Sequence, residues 1–167
     1  MEQRTEEIIA ECRRQEESCL YTSTALYEWL KVIRFWRMTF VVLPIILGSL
    51  AGAKVLVKYP SLDWLTAGAA LLAGLFPAIF KALDLDVSMK SISDSASRFK
   101  VLQDRFRQTS RISATKPEDE LEEEFKALME RMDDARMVNP VIPERYFRCA
   151  QKKIKSGDYK FDGVVSE

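Results

Sequence analysis

The residues best suited to metal chemistry are the acids at positions 118–124, which read Glu-Asp-Glu-Leu-Glu-Glu-Glu. Carboxylates are the ligands that hard divalent cations prefer, so such a run can form a metal site. At about 3.6 residues per turn, however, these side chains point around most of a helix and do not converge on one ion. Acids at the start of a helix also complement its dipole. We therefore expect a solvated helix start here and no metal site.

The remaining reactive side chains do not form a catalytic constellation. The three cysteines, Cys12, Cys19 and Cys149, are odd in number and include no C-x-x-C pair, which favours free thiols over a disulfide framework. The chain has no histidine, so it lacks the commonest general base and zinc ligand. It has no P-loop, no G-x-G-x-x-G and no G-x-S-x-G motif. We expect no enzyme activity, no catalytic residue and no cofactor.

Charge and hydropathy are distributed unevenly along the chain. The 25 basic and 25 acidic residues cancel, which argues against a nucleic-acid partner. The apolar residues are concentrated in two runs of equal length, 38–57 and 64–83. A helix of about 20 residues spans a hydrocarbon core of ~30 Å, so the runs predict two transmembrane helices. Lys54 and Lys81 lie near the ends of the runs, where they reach toward the headgroups.

The alternative is that both runs are buried helices of an all-α domain without a membrane. The rest of the chain is too short and too amphipathic to surround two such helices with a polar shell, so the sequence favours the membrane. Residues 58–63 connect the runs and include Pro60, which predicts an antiparallel transmembrane hairpin. Seven basic residues flank the outer ends of the runs and two lie on the connecting side. That imbalance predicts that both termini are cytoplasmic.

Small residues recur at four-residue spacing in both runs. Gly48 and Gly52 form a G-x-x-x-G pair, and Ala70, Gly74 and Ala78 continue the spacing in the second run. Such stripes let helix backbones approach closely. We expect these five residues to mediate helix packing and oligomerisation.

The flanking segments are predicted as long amphipathic helices. An N-terminal cytoplasmic helix occupies 1–37 and a second occupies 84–112, both with apolar residues near the heptad spacing of a coiled coil. A C-terminal helical appendage, 113–167, contains an acidic helix followed by a basic one. These two helices could pair, or the basic helix could lie on anionic lipid. The predicted fold class is thus an all-α membrane protein: a two-helix transmembrane hairpin, 38–83, with long amphipathic cytoplasmic helices.

This order of charged helix, tight hairpin and amphipathic helix, from about residue 5 to 112, resembles the SLATT family of two-transmembrane effector domains of bacterial conflict and anti-phage systems. The resemblance implies an effector in the bacterial inner (plasma) membrane that oligomerises and, when a separate sensor or regulatory protein activates it, forms a pore or disrupts the bilayer. Growth arrest or cell death, as in abortive infection, would follow. The implied partners are the lipid bilayer, further copies of the chain and that sensor.

Two questions about function stay open at this point. In an oligomer, Asp84 and Asp86 would be repeated next to Lys81 and form a ring of acids at a pore mouth that favours cations, or these residues would only cap the membrane boundary. The alternative function is a membrane-anchored helical scaffold that recruits a cytosolic partner without conduction.

Overall fold

The computed structural model describes residues 2–56, 63–82, 85–112 and 116–158. Five helices occupy this part of the chain: α1 (Glu2–Leu56), α2 (Asp63–Ala82), α3 (Leu85–Arg111), α4 (Glu118–Met137) and α5 (Glu144–Ser156). No strand occurs among these residues. The described part is therefore all-helical, which agrees with the helical part of the predicted fold class.

Helix α1 is a single element of 55 residues. It continues through residue 37, where the sequence analysis placed the end of the N-terminal helix. Neither glycine nor proline occurs from Glu2 to Leu43, so nothing in the local sequence interrupts the backbone hydrogen bonds there. The first apolar run is consequently the last part of a longer helix and not a helix of its own.

The chain divides into two compact units. Unit 1 comprises Met1–Leu30 and Ser91–Glu167, and unit 2 comprises Lys31–Lys90. Unit 1 contains the first part of α1, most of α3, and all of α4 and α5. Unit 2 contains the rest of α1, α2 and the start of α3.

Four helices enclose an apolar interior in unit 1. Phe99 and Phe106 of α3 are its largest fully buried side chains. Helix α1 adds Ile8, Cys12, Cys19, Ala25, Leu26 and Leu30, α4 adds Leu121, Leu128, Met132 and Ala135, and α5 adds Tyr146 and Ala150. One apolar face of each flanking helix is buried in unit 1, as the heptad-like spacing predicted. These faces consist of Ile8, Cys12, Cys19, Leu26 and Leu30 in α1 and of Ile92, Ala96, Phe99, Leu102 and Phe106 in α3.

Polar contacts fix how α4 and α5 pack on α1. Lys153 of α5 donates to the Oε1 atom of the buried Glu28 at 2.8 Å. Arg136 of α4 donates to Gln15, also buried, at 3.1 Å. The Trp29 and Tyr146 rings stack with their centroids 6.0 Å apart. The basic helix α5 thus takes a charge partner from α1, whereas the sequence analysis had considered pairing with the acidic helix α4 or contact with anionic lipid.

The side chains that the structure describes in unit 2 form no comparable interior. None of the side chains that the structure describes between positions 31 and 90 is buried. The most protected positions of α1 in this unit, among them Ile33, Phe40 and Leu47, are half-buried and recur every seven residues. That spacing is typical of a helix that contacts one neighbour along a single narrow seam.

The prediction of a transmembrane hairpin is wrong. Within the described residues, no helix combines the length and the apolar composition that crossing a membrane requires. The physical reason lies in the charges that bound the two runs. The stretches free of charge extend only from Met38 to Ala53 and from Trp64 to Phe80. At about 1.5 Å per residue these stretches reach ~24 and ~26 Å, short of a ~30 Å hydrocarbon core.

Two further predictions required those transmembrane helices, and both need correction. A multi-pass location in the bacterial inner membrane with both termini cytoplasmic requires transmembrane helices, and so does a pore-forming membrane protein. Both predictions are therefore wrong. Parts of the predicted hairpin, namely Val57, the connecting residues 58–62 and Leu83, lie outside the described residues.

The interior of unit 1 generates a stability prediction. Replacing Phe106 by alanine removes a fully buried ring and leaves a cavity, so we expect the free energy of unfolding to fall by about 3–5 kcal/mol. Val101 lies on the same helix with 58% of its surface exposed, and Val101→Ala is the matched control, with an expected loss below about 0.5 kcal/mol. Chemical denaturation measures both. Equal losses for the two variants would contradict the packing described for α3.

Candidate functional site

The feature of the molecule that most needs an explanation is the exposed apolar surface of unit 2. Among the side chains that the structure describes in this unit, fourteen large apolar ones are exposed, nine from α1 and five from α2. We call them the apolar surface: Val32, Phe35, Trp36, Met38, Val41, Val42, Ile45, Ile46, Leu50, Trp64, Leu71, Leu72, Leu75 and Ile79. Trp64 is 75% exposed and Leu71 67%. Scattered single apolar residues are normal on a protein surface, but a concentration of this size marks a binding surface.

Aromatic rings join the two helices beneath this surface. The centroids of Phe40 in α1 and Phe76 in α2 lie 5.6 Å apart, and Trp36 lies 6.1 Å from Phe40. These are ordinary distances for edge-on and offset aromatic pairs. The contact uses the half-buried seam and leaves the outward side chains of both helices uncovered.

The hydroxyl groups near the apolar surface are satisfied within their own helix. Thr39 donates to the Phe35 carbonyl oxygen at 3.1 Å, and Ser49 donates to the Ile45 carbonyl oxygen at 2.8 Å. A hydroxyl paired in this way can be removed from water at little cost. The apolar surface can therefore be covered without leaving these two donors unpaired.

The small residues singled out for helix packing all lie on the outside of unit 2. Gly48, Gly52, Ala70, Gly74 and Ala78 are exposed. A Cβ atom added to any of the three glycines would meet no other atom within 4 Å, apart from the glycine's own helix backbone and chain neighbours. The space beside these small residues is consequently not filled by close packing between α1 and α2. Their role in oligomerisation stays a prediction.

Of the three residues proposed for a pore mouth, Lys81 is the one whose side chain the structure describes. Lys81 is exposed in the last turn of α2. Asp84 lies outside the described residues, and so does the side chain of Asp86. A pore mouth also presupposes a membrane span, and no helix in the described ranges can form one.

The acids at the start of α4 bind other helices. Arg4 of α1 pairs with Glu122 at 2.6 Å and lies 3.8 Å from Glu118. A hydrogen bond from Lys126 lowers the pKa of Glu122, and the charge of Arg4 lowers it further. Thr109 of α3 donates to Glu124 at 2.9 Å. No group of three metal-binding side chains occurs in the part of the chain that the structure describes.

Two of the three cysteines lie in the interior of unit 1. Cys12 and Cys19 are fully buried, and the Cys19 thiol lies 3.6 Å from the sulfur of Met132. Burial raises the pKa of Cys12 to about 11 and that of Cys19 to about 12. Because the thiolate is the reactive form, these side chains act as packing residues.

Sequence reasoning missed some of the contacts that organise the molecule. The stacked pairs Trp29–Tyr146 and Tyr21–Phe147 dock α5 on α1. Each partner was visible as an aromatic residue on a helix, but a pairing between positions so distant in the chain leaves no local periodic signal.

Comparison with protein-family models, with characterised proteins and with solved structures gives no match to this chain. The resemblance to the SLATT family accordingly stays a prediction from the order and character of the helices.

The raised thiol pKa values predict how stability depends on pH. Above pH 9.0, the ordinary pKa of the thiol, Cys19 ionises in the unfolded chain but stays protonated in the folded one, up to about pH 12. Unfolding then releases a proton, so rising pH favours it, by about 1.4 kcal/mol per pH unit for one thiol. We expect the free energy of unfolding to fall less steeply above pH 9 in Cys19→Ala than in the native protein. Parallel pH profiles would contradict this account.

Proposed function

We propose that this chain is a non-enzymatic effector that works by assembling with copies of itself through the apolar surface of unit 2. The observation that carries the proposal is the absence of any buried side chain among those described at 31–90, combined with fourteen large exposed apolar ones. Apolar surface left in water is unfavourable by roughly 25 cal/mol for each Å². Unit 2 therefore gains its stability from whatever covers it.

The size of the apolar surface fits an interface between protein chains. Half-exposed side chains of this kind leave on the order of 1,000 Å² of apolar area, comparable with the ~800 Å² that each partner buries in a stable dimer. Every copy carries the same surface, so copies satisfy one another in a symmetric contact. The aromatic side chains Phe35, Trp36 and Trp64 supply the large contact areas that dominate interface energetics.

The small residues support a close approach between copies. The space around Gly48, Gly52 and Gly74 is open within the chain, so helices of a second copy can come close to the backbone there. Exposed Ala70 and Ala78 extend this stripe on α2. In this proposal the stripes lie at the contact between copies.

Assembly is also a step of the effector function that the SLATT resemblance implies. We propose that the chain serves a bacterial anti-phage defence system, in which a separate sensor protein triggers the assembly and growth arrest follows. Conduction through a transmembrane pore is not part of the proposal, because no helix among the described residues is long and apolar enough to cross a membrane.

A scaffold that recruits another protein through unit 1 is the second candidate function. It is favoured by a groove between α3 and α4 that exposes arginine and apolar side chains. The two functions use different units and are compatible in one molecule.

Sedimentation of the full chain tests self-assembly. We expect the native protein to sediment as an oligomer. Ile45→Glu with Leu71→Glu would bury charges in the contact and raise the dissociation constant at least ~100-fold. Met137→Glu with Val141→Glu, at exposed apolar positions of unit 1, is the matched control and should leave the oligomer intact.

Sedimentation of the double variant Gly48→Leu, Gly52→Leu is a second test of self-assembly. A Cβ atom added at either glycine meets no other atom within 4 Å, so weaker association with unchanged helix content reports a contact between copies. A native chain that sediments as a monomer would overturn the proposal. So would an oligomer that neither unit 2 variant weakens, or a monomer that co-sediments with phospholipid vesicles, since lipid would then cover the surface.

A further inference from the structure

A groove of about 360 Å³ lies between α3 and α4 in unit 1. Among the residues that line it are Arg98, Val101, Leu102 and Arg105 from α3, and Arg131 and Ala135 from α4. The four residues from α3 are three, one and three positions apart in the sequence, which places them on one face of that helix. The groove is thus built by two helices that the interior of unit 1 holds in place.

The floor of the groove is apolar and its rim is partly apolar. Leu102 and Ala135 are 5% and 3% exposed, so they form the bottom together with the interior of unit 1. Val101 is 58% exposed beside them. An apolar side chain inserted here would cover Val101 and rest on Leu102, which is the arrangement of an anchor pocket in a helix-binding groove.

The rim of the groove is positively charged. Arg98, Arg105 and Arg131 are all exposed, and Arg105 donates to Gln108 at 3.3 Å. Within the described residues, neither Arg98 nor Arg131 has a carboxylate within ion-pair distance. Asp134 is the one acid in the lining, so three arginines against one acid give the groove a net charge of +2, in a chain whose 25 basic and 25 acidic residues cancel.

We propose that this groove binds an acidic amphipathic helix of a separate protein. Carboxylates of that helix would pair with Arg98, Arg105 and Arg131, in the two-pronged geometry that guanidinium groups offer. A leucine-sized side chain between the carboxylates would enter the pocket beside Val101. The apolar floor favours a peptide over a nucleic acid, because phosphate recognition alone needs no apolar pocket.

The occupant is a separate protein and not another copy of this chain. The acidic segment of the chain itself, at the start of α4, is already held by Arg4, Lys116 and Thr109. Releasing it would break those contacts in unit 1. A partner helix carries no such cost. This inference rests on the scaffold role of unit 1 and is independent of self-assembly through unit 2.

A designed peptide probes the groove in the full chain. The probe is a fluorescently labelled helical peptide with leucine on one face and glutamate on its flanks. Arg98→Glu with Arg131→Glu should weaken its binding at least about tenfold, because two favourable charge pairs become repulsive. Lys152→Glu with Lys155→Glu removes the same positive charge from exposed positions of α5 and should change binding less than about threefold.

The outcomes separate the groove from general charge attraction. Lack of binding by the native chain would overturn the inference. So would equal weakening by the α5 variant, or equal binding of a peptide with lysine in place of glutamate. Arg98→Gln with Arg131→Gln and the single variant Val101→Asp are further tests, both expected to weaken binding with unchanged helix content. Sedimentation of the same variants should be native, so failure here is distinguishable from failure of self-assembly.

Discussion

Two helices in contact can shield only the side chains between them, and this limit determines how much apolar surface residues 31–90 can bury by themselves. In unit 2 the seam between α1 and α2 is occupied by Phe40 and Phe76, whose ring centroids lie 5.6 Å apart. The helices carry many more apolar side chains than such a seam can hold, and fourteen large ones are exposed among the residues that the structure describes. Burial of apolar area is the dominant favourable term in folding and association. A covered surface is therefore a condition for a stable unit 2, and the covering must come from outside that unit.

In unit 1, four helices surround an interior and together bury apolar side chains that two helices would leave exposed. Its interior contains Phe99, Phe106 and Met132, almost without exposure. Charged side chains then reinforce the packing, with Lys153 on Glu28 and Arg4 on Glu122. The acids of α4, which resemble metal ligands when read in sequence, serve to hold α4 against α1 and α3. Unit 1 satisfies its own apolar groups and still exposes a charged groove, so it can bind a partner without changing its fold.

Much of unit 1 was predictable from local pattern, and the rest was not. Ile8, Cys12 and Cys19, with Ile92 to Phe106, follow a period close to 3.6, and the structure buries them as that period requires. The contacts that dock α5 join residues far apart in the chain, and sequence spacing does not encode them. The transmembrane prediction failed because it overestimated the length of the two apolar runs. Both runs were measured with Lys54 and Lys81 inside them, although the stretches free of charge end just before these lysines. The small-residue stripes were predicted to mediate helix packing and oligomerisation, and that role stays a prediction, because sequence alone cannot tell which molecule they face.

Hydrogen–deuterium exchange of the full chain, followed by peptide at low and high protein concentration, tests the central claim most directly. If copies cover unit 2, amide exchange at 32–50 and 64–79 slows as the concentration rises, because association stabilises only the assembled form. Exchange in α4 and α5, which pack within unit 1, should stay the same. Exchange at 32–50 and 64–79 that is independent of concentration would contradict the claim that further copies of the chain cover the apolar surface.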